Sequence, residues 1–598
     1  MNPPIFPKIK LSKSNIDTFV GDVFAIELEG EGIDENSLIT WSADGEVARI
    51  RTFSGDQPSP KNAALVSIWE AGRGFVFAEY LGEKYEAKIS AHATVTPEGE
   101  FHYYRADLHA HTSNVHKAEQ FALHETEDIT DYLDAVTADG DLDLTVISDH
   151  AAVTNDRDFY RGFQCAENLT APVVLAGAEN EITFTARDRF GVSHRHGGEI
   201  VVVASAGYVS TDSWESFETE MKYSPLPIAI FAHPYIVGYS TPGIWNFDFK
   251  NRTSELMLNI IRGIEMGNGM PSGCNILHEY AISLALDAGF KLSTTCSSDC
   301  HGPGWGFGSC PGKTVVIAKD KSREMFHEAL RACRFYATES GNVKLKYSVN
   351  GSCAPADLAL TNSYKFKIEL DLFDPDPSTM PTRCEVITDY GAVALQCNVV
   401  DRLTEFEIKS DTARYFYLRL IDACGRKTWS MPVWCGRAFD AKTELPRLTP
   451  IDMSDFTATA DGAPAPALID GDPYHSYESS SRIPKIVIDM KKRRRISAVG
   501  YYPHQVYRSK DKPSGWHVHD ETPSLLSKYN IYLSDDGKSY SLVKQAACRL
   551  PGEENVERFV PREARYVMIE VTETVGMNSC CETFIDNCAR IGNLTVFE

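Results

Sequence analysis

The sequence predicts an α/β barrel set among all-β modules, and three observations carry that prediction. Between residues 101 and 340, short apolar runs alternate with helical patterns. On either side, residues 1–100 and 345–598 show short β-type runs broken by turn residues. Eleven of the 17 histidines fall between His102 and His301, and metal-ligand residue types recur there at the ends of the apolar runs. At roughly 150 residues per domain, 598 residues leave room for about four domains.

The elements follow in order. Residues 1–100, with Val23-Phe-Ala-Ile-Glu-Leu, Leu38-Ile-Thr-Trp-Ser and Gly74-Phe-Val-Phe-Ala, are predicted as a small β-sandwich. Residues 101–343 hold seven strand candidates. They begin at Tyr104-Arg-Ala-Asp, Leu144-Thr-Val-Ile, Val173-Val-Leu-Ala, Ile200-Val-Val-Val, Ile228-Ala-Ile-Phe, Ile260-Ile-Arg-Gly-Ile and Phe290-Lys-Leu-Ser-Thr. Ile129, Tyr132, Leu133 and Val136 have the i, i+3, i+4, i+7 spacing of a helix. A second helix runs through Ile276, Leu277, Tyr280, Ala281 and Leu284 and stops at Gly289, placed as a C′ glycine. Such alternation predicts a parallel sheet with helices outside, closed into a barrel. Residues 344–446 return to β texture with Tyr364-Lys-Phe-Lys-Ile-Glu-Leu and Tyr415-Phe-Tyr-Leu-Arg-Leu. Residues 447–598 are β again, with Ile486-Val-Ile-Asp-Met, Tyr529-Asn-Ile-Tyr-Leu and Tyr566-Val-Met-Ile-Glu-Val. The basic run Lys491-Lys-Arg-Arg-Arg is expected to form a solvated turn between two strands.

Charge narrows the function. The chain carries 59 Lys+Arg against 83 Asp+Glu, a net charge of −24. That argues against nucleic acid or an anionic membrane as partner, while bound cations are compatible with it. Residues 101–340 contain 32 acidic and 18 basic residues, so more than half of the excess sits in the barrel segment. No basic n-region precedes an apolar run at the start, and no apolar stretch reaches membrane-helix length. The expected compartment is the cytoplasm, with the 15 cysteines mostly free. A bridge among Cys580, Cys581 and Cys588 stays open.

The histidines are in phase with the strands. His109 and His111 follow the first strand, at the i, i+2 spacing that lets two strand residues face one ion. Asp149 and His150 end the second, Glu179 the third, His233 the fifth, and Asp299 and His301 the seventh. His194 and His196 flank the start of the fourth. Barrel enzymes assemble their sites at strand C-termini. Imidazole and carboxylate together suit Zn, Mn or Fe(II). No Gly-x-Ser-x-Gly elbow or phosphate-cradling glycine loop with a following lysine is present.

The motifs Asp107-Leu-His-Ala-His-Thr, Ser148-Asp-His, Gly177-Ala-Glu, Ala232-His-Pro and Ser298-Asp-Cys-His stand in the order of the polymerase-and-histidinol-phosphatase (PHP) metallohydrolases. Residues 103–340 resemble that superfamily. The resemblance implies a distorted seven-stranded, TIM-like β/α barrel with two or three divalent ions (Zn, Mn or Fe). It implies a first ion on His109, His111, Glu179 and Asp299. A second, bridged by Glu179, would sit on His196 and His233, and a third on His116, His150 and His301. His194 competes with His196, and Glu181 with Glu179. Cys296, Cys300 and Cys310 crowd the last motif. The implied reaction is phosphate-ester hydrolysis by a metal-bridging hydroxide, with Glu179 as bridge and Asp299 or His301 assisting proton transfer. Arg195, and Arg189 near it, are candidates for neutralising a phosphate. Asp107 and Asp149 are candidates for orienting the ligand histidines.

The flanks add resemblances. Ile39-Thr-Trp-Ser-Ala-Asp with Val47-Ala-Arg-Ile looks like a bacterial immunoglobulin-like module. The stretch from Tyr415 to Trp434 is similar to the β extension of the carbaryl-hydrolase-like branch, which implies a carbamate, carboxyl ester or amide as the competing bond. Leu468-Ile-Asp-Gly-Asp-Pro, Ile486-Val-Ile-Asp-Met, Tyr529-Asn-Ile-Tyr-Leu-Ser-Asp-Asp-Gly and Ala564-Arg-Tyr-Val-Met-Ile-Glu-Val resemble a discoidin (coagulation factor 5/8 type C) jelly roll. Such modules often bind carbohydrate, and Tyr474, Trp516 and His517 are aromatic candidates for stacking on sugars. They are usually extracellular, in tension with the expected compartment. Glycan binding over a metal-bound scaffold barrel is the third functional reading.

Overall fold

The computed structural model describes residues 9–598 except 54–58, 113–128, 209–212, 246–253, 270–275, 302–311, 437–447, 505–521, 549–553, 578–582, 585–587 and isolated positions at 97, 153, 168, 170, 188, 191–192 and 239–240. The described chain is mostly β-sheet with a few short helices.

Two four-stranded sheets make up the N-terminal part. The strand Ala63–Ile68 is buried along its whole length. Alternation explains this. Ala64, Val66 and Ile68 enter the sandwich core, whereas Ala63 and Leu65 pack against the next part of the chain.

The central sheet is built from β1 (His102–Asp107), β2 (Leu144–Ile147), β3 (Val173–Arg187), β4 (Ser193–Val203), β5 (Ile228–Phe231), β6 (Ile261–Asn268) and β7 (Ser293–Ser297). β1, β2 and β3 run parallel, as do β5, β6 and β7. The expected all-parallel order fails at β4, which is antiparallel to both neighbours. β3 continues for 15 residues and pairs antiparallel with β4 from Gly177 opposite Val203 out to Arg187 opposite Ser193. The tight hairpin depends on glycines. A Cβ on Gly177 would lie 1.9 Å from the Val202 carbonyl oxygen, and one on Gly197 (φ +120) 1.9 Å from that of Ile182. The pairings close into a barrel. Beyond β1 and β7, Ala110 bridges Cys300 in parallel, and the Asp299 N–H donates to the His109 carbonyl at 2.9 Å. β8 (Lys313–Ala318) pairs antiparallel with β1 and with β9 (Phe335–Thr338).

Among the described residues six helices connect these strands: α1 (Ile129–Asp139), α2 (Asp156–Ala166), α3 (Trp214–Glu220), α4 (Glu255–Ile260), α5 (Ile276–Asp287) and α6 (Arg323–Arg331). α2 starts where the Asn155 side chain accepts from the Asp158 N–H, with Asp156 and Asp158 complementing the helix dipole. It buries Phe159, Tyr160, Phe163 and Ala166 between β3 and the N-terminal sandwich. α1 and α5 lie where the periodicity predicts them. Gly289 (φ +89) follows α5, its N–H donating to the Leu286 carbonyl.

Pro381–Thr388, Ala392–Asn398, Tyr415–Asp422 and Lys427–Trp429 continue the central sheet, because Lys427–Trp429 pairs with β9, whereas Val343–Val349, Ser352–Cys353, Ser363–Leu372 and Leu403–Lys409 form a separate four-stranded sheet. A nine-stranded antiparallel sheet forms the C-terminal part around Ile486, Ile488, Ile531, Val567, Ile569 and Leu594. The basic run corrects the expectation. It lies within a single strand, Lys485–Pro503, at a register shift between Asp489 and Arg494 where Lys491 has φ +64. A bulge keeps Lys491, Lys492 and Arg493 exposed without ending the strand. Cys333, Cys353, Cys384, Cys397 and Cys424 carry free thiols. Cys580 and Cys581 lie outside the described residues. Among the described residues no helix is long and apolar enough to cross a membrane.

Candidate metal centre

The candidate ligands meet because the ladder continues past the strand ends. The Ser148 N–H donates to the Ala110 carbonyl at 3.0 Å, His150 bridges Glu179, and the Ala232 N–H donates to the Glu199 carbonyl at 3.0 Å. Each contact sets one ligand-bearing end beside the next. Asp299 has φ +48 and His233 φ +20. For Asp299 this left-handed conformation costs on the order of 1–3 kcal/mol, strain of the kind that gathers at functional sites.

Five imidazoles and three carboxylates converge. His109 Nε2 lies 3.1 Å from Glu179 Oε1 and 3.4 Å from Asp299 Oδ1. His111 Nε2 is 2.9 Å from Asp299 Oδ1 and 3.4 Å from Glu179 Oε2. His150 Nδ1 is 2.9 Å from Glu179 Oε2. His233 Nε2 is 3.1 Å from Glu179 Oε1 and 3.3 Å from Glu199 Oε2. His150 Nε2 and His301 Nε2 are 3.2 Å apart, and the His111 and His301 rings stack at 4.1 Å. Glu179, His109, His111 and His233 are buried, and His301 is the most open of the set.

Electrostatics shows what holds these groups together without a cation. Burial opposes charge on His109, but Glu179, Asp299 and Glu265 hold it well above the usual imidazole range. Burial likewise opposes charge on His150 and His233, yet Glu179, Glu199 and Asp299 raise them to about 9 and about 10. His111 goes the other way, lowered by burial and by His301 and His150. Glu199 is pushed up to about 7 by burial and by Glu179. Behind the cluster, burial pushes His278 down to about 4, so it stays neutral.

The donors fit a divalent cation. His109 Nε2 faces His111 Nε2 at 3.1 Å, and His150 Nε2 faces His301 Nε2. Lone pairs that oppose one another at this distance need a shared proton or a metal between them. Four sets of three donor atoms lie within 4.8 Å: His111, His150 and His301; His109, Glu179 and His233; His109, His111 and Asp299; His150, Glu179 and Glu199. Nitrogen and carboxylate oxygen in this proportion suit Zn, Mn or Fe(II).

Seven of the nine ligands expected from the motifs are thus brought together. His116 lies outside the described residues. The backbone of His194, Arg195 and His196 belongs to β4, but their side chains lie outside the described set. Glu179 rather than Glu181 enters the donor sets, and neither Cys296 nor Cys300 does. Arg189 is engaged elsewhere. Its guanidinium is bidentate to Glu554 of the C-terminal sheet, at 2.6 and 2.8 Å, so it is not the phosphate partner proposed from sequence. Asp107 and Asp149 act on backbone rather than imidazole. Asp107 accepts from the Ser298 and His109 N–H groups, and Asp149 from Thr112. Sequence reasoning missed Glu199, which shares β4 with His196, and Glu265. Glu265 lies on β6, which carries no histidine motif, and its signal was only a carboxylate inside an apolar run.

No protein-family model and no curated protein matches the chain. Solved structures match in part. CpGH89CBM32-5 from Clostridium perfringens, in complex with GalNAc-β-1,3-galactose, is 16% identical, with 25% of this chain and 100% of that one covered at a TM-score of 0.19. The family 32 carbohydrate-binding module of C. perfringens NanJ, in complex with galactose, is 20% identical over 25% of this chain and 100% of that one, also at 0.19. Chitosan-binding module 1 of a chitosanase/glucanase from Paenibacillus sp. IK-5 is 18% identical over 24% of this chain and 95% of that one, at 0.18. These likenesses span a quarter of the chain and do not describe the remainder.

Proposed function

We propose that residues 101–343 form a metal-dependent hydrolase of the PHP type, which takes two to three divalent cations and cleaves a phosphate ester. The observation that supports this reading is the convergence of eight imidazole and carboxylate side chains into overlapping three-donor sets. Such cations, when bound, lower the pKa of water and draw negative charge from a phosphoryl group. His109, Glu179 and His233 would hold one; His111, His150 and His301 another. Glu179 belongs to two donor sets, the second with His150 and Glu199, and would be the bridge in this reading. Glu199, on the same strand as His196, joins His150 and Glu179 in a further donor set. His301 donates its Nδ1 proton to the Asp299 carbonyl at 2.9 Å, which turns its Nε2 lone pair inward. The same centre suits a carbamate, carboxyl ester or amide, the bond implied by the β extension.

The deciding experiment quantifies metal in the purified chain and measures turnover of aryl phosphate mono- and diesters beside an aryl carbamate. Two to three ions and phosphate turnover are expected. Metal-loaded protein that hydrolyses no phosphate ester overturns the phosphoesterase reading, and carbamate turnover alone transfers it to the competing bond.

A second reading concerns residues 447–598, whose motifs resemble a discoidin module. Carbohydrate binding is what the names of the partly similar solved structures describe, and a glycan array with the full chain tests it here. Binding that survives His109→Ala separates this role from the metal centre.

A further inference from the structure

Glu265 and Asn268 lie three residues apart on β6. In a regular strand, residues three apart point to opposite faces. A bulge changes the phase. Glu265 pairs with Thr295 and Gly267 with Cys296, so two residues of β6 oppose one of β7, and Met266 turns into the core. Both polar side chains therefore reach the cluster.

Their contacts form a clamp. Glu265 Oε1 faces His109 Nδ1 at 3.2 Å. Glu265 Oε2 accepts from the His233 backbone N–H at 2.7 Å and from Asn268 Nδ2 at 2.9 Å. Asn268 Nδ2 also donates to Asp299 Oδ2 at 3.0 Å. One carboxylate and one amide thus touch three candidate ligands on three strand ends, and both are buried. A proton held on His109 Nδ1 by Glu265 leaves the Nε2 lone pair facing Glu179 and Asp299. This is the tautomer a metal ligand needs.

We propose that Glu265, braced by Asn268, is the positioning residue of the metal centre: it fixes the His109 tautomer and sets the spacing of His109, His233 and Asp299. The proposal rests on the metal-centre reading above. Glu265 itself belongs to none of the donor sets, so its effect passes through His109.

The test uses the full chain, metal-free, titrated with Co²⁺ in competition with a chromophoric chelator, and follows the cobalt d–d absorption. Glu265→Gln keeps the shape but cannot accept at both oxygens. It is expected to stay folded by circular dichroism, to bind the cation about 10–100-fold more weakly, and to shift the cobalt spectrum. Glu265→Asp, which retains the charge, recovers part of the affinity. Should Glu265→Gln not fold, Asn268→Ala loosens the brace while leaving the carboxylate, and a several-fold loss with an altered spectrum is expected. A folded Glu265→Gln, or in its place Asn268→Ala, with wild-type affinity and spectrum overturns this proposal and leaves the centre standing. Wild-type protein that binds no cobalt overturns the centre itself, and this proposal with it.

Discussion

Replacing Glu279 with Gln probes the joint between the barrel that carries the candidate metal centre and the β strands that follow it. Glu279 sits in the first turn of α5 and is only 8% exposed. Its carboxylate accepts from Arg419 Nη1 and Lys427 Nζ at 2.5 Å each and from Trp429 Nε1 at 3.1 Å. Burial raises its pKa, but Arg419 and Lys427 outweigh burial and hold it at about 2, from an ordinary 4.5. A fall of that size corresponds to roughly 3 kcal/mol of folded-state stabilisation at neutral pH. Because the folded pKa is depressed, the contribution is complete above the unfolded value near 4.5 and is lost as pH falls towards 2. By pH 3 less than half of it remains by the same linkage. Urea unfolding of wild type and Glu279→Gln at pH 7 and pH 3, followed by far-ultraviolet circular dichroism, reads the difference. The gap in the transition that includes the barrel should be roughly 3 kcal/mol at pH 7 and less than half that at pH 3. A gap that does not change with pH, or that is below about 1 kcal/mol at pH 7, refutes the assignment of this stability to the charged carboxylate.

Glu179→Gln removes the carboxylate shared by two of the four donor sets and leaves two that both need His111, so metal content by elemental analysis should fall to about one ion per chain, while unchanged content contradicts a bridging role. Chelation should lower the thermal midpoint, since cations that bind only the folded chain stabilise it by mass action: about 2.7 kcal/mol at a hundredfold excess over the dissociation constant. Calorimetry with and without chelator checks this, and coincident traces count against a resident metal. Arg189→Ala leaves the mostly buried Glu554 without its bidentate partner and should lower the stability of the C-terminal sheet by about 1.5–3 kcal/mol, read as a downward shift of its calorimetric transition. No shift would show that the hairpin tip is not held there.

The donors were readable in the chain because ligand chemistry leaves short marks at strand ends. His109-Ala-His111, Asp149-His150 and Asp299-Cys-His301 each pair a turn out of an apolar run with residues that bind cations. Glu199 and Glu265 left no such mark, since a single carboxylate within a strand reads as a surface charge. The antiparallel β4 was equally hidden. Val201, Val202 and Val203 show a buried strand whichever way it runs, and direction depends on how closely Gly177 and Gly197 let two backbones approach.

The amino-acid sequence alone determined that the chain alternates β modules with one α/β segment, that the negative charge and histidines gather in that segment, and which strand ends carry donors. These are properties of composition and local periodicity, which neighbouring residues decide among themselves. Tertiary structure alone decided that Glu199 joins the donors, that Arg189 serves the C-terminal sheet, and that Glu265 stands behind His109. Each is a contact between residues 34 to 365 positions apart. Only the closing of the barrel, with its bulge at Met266 and its hairpin at β3 and β4, brings such residues within hydrogen-bond distance.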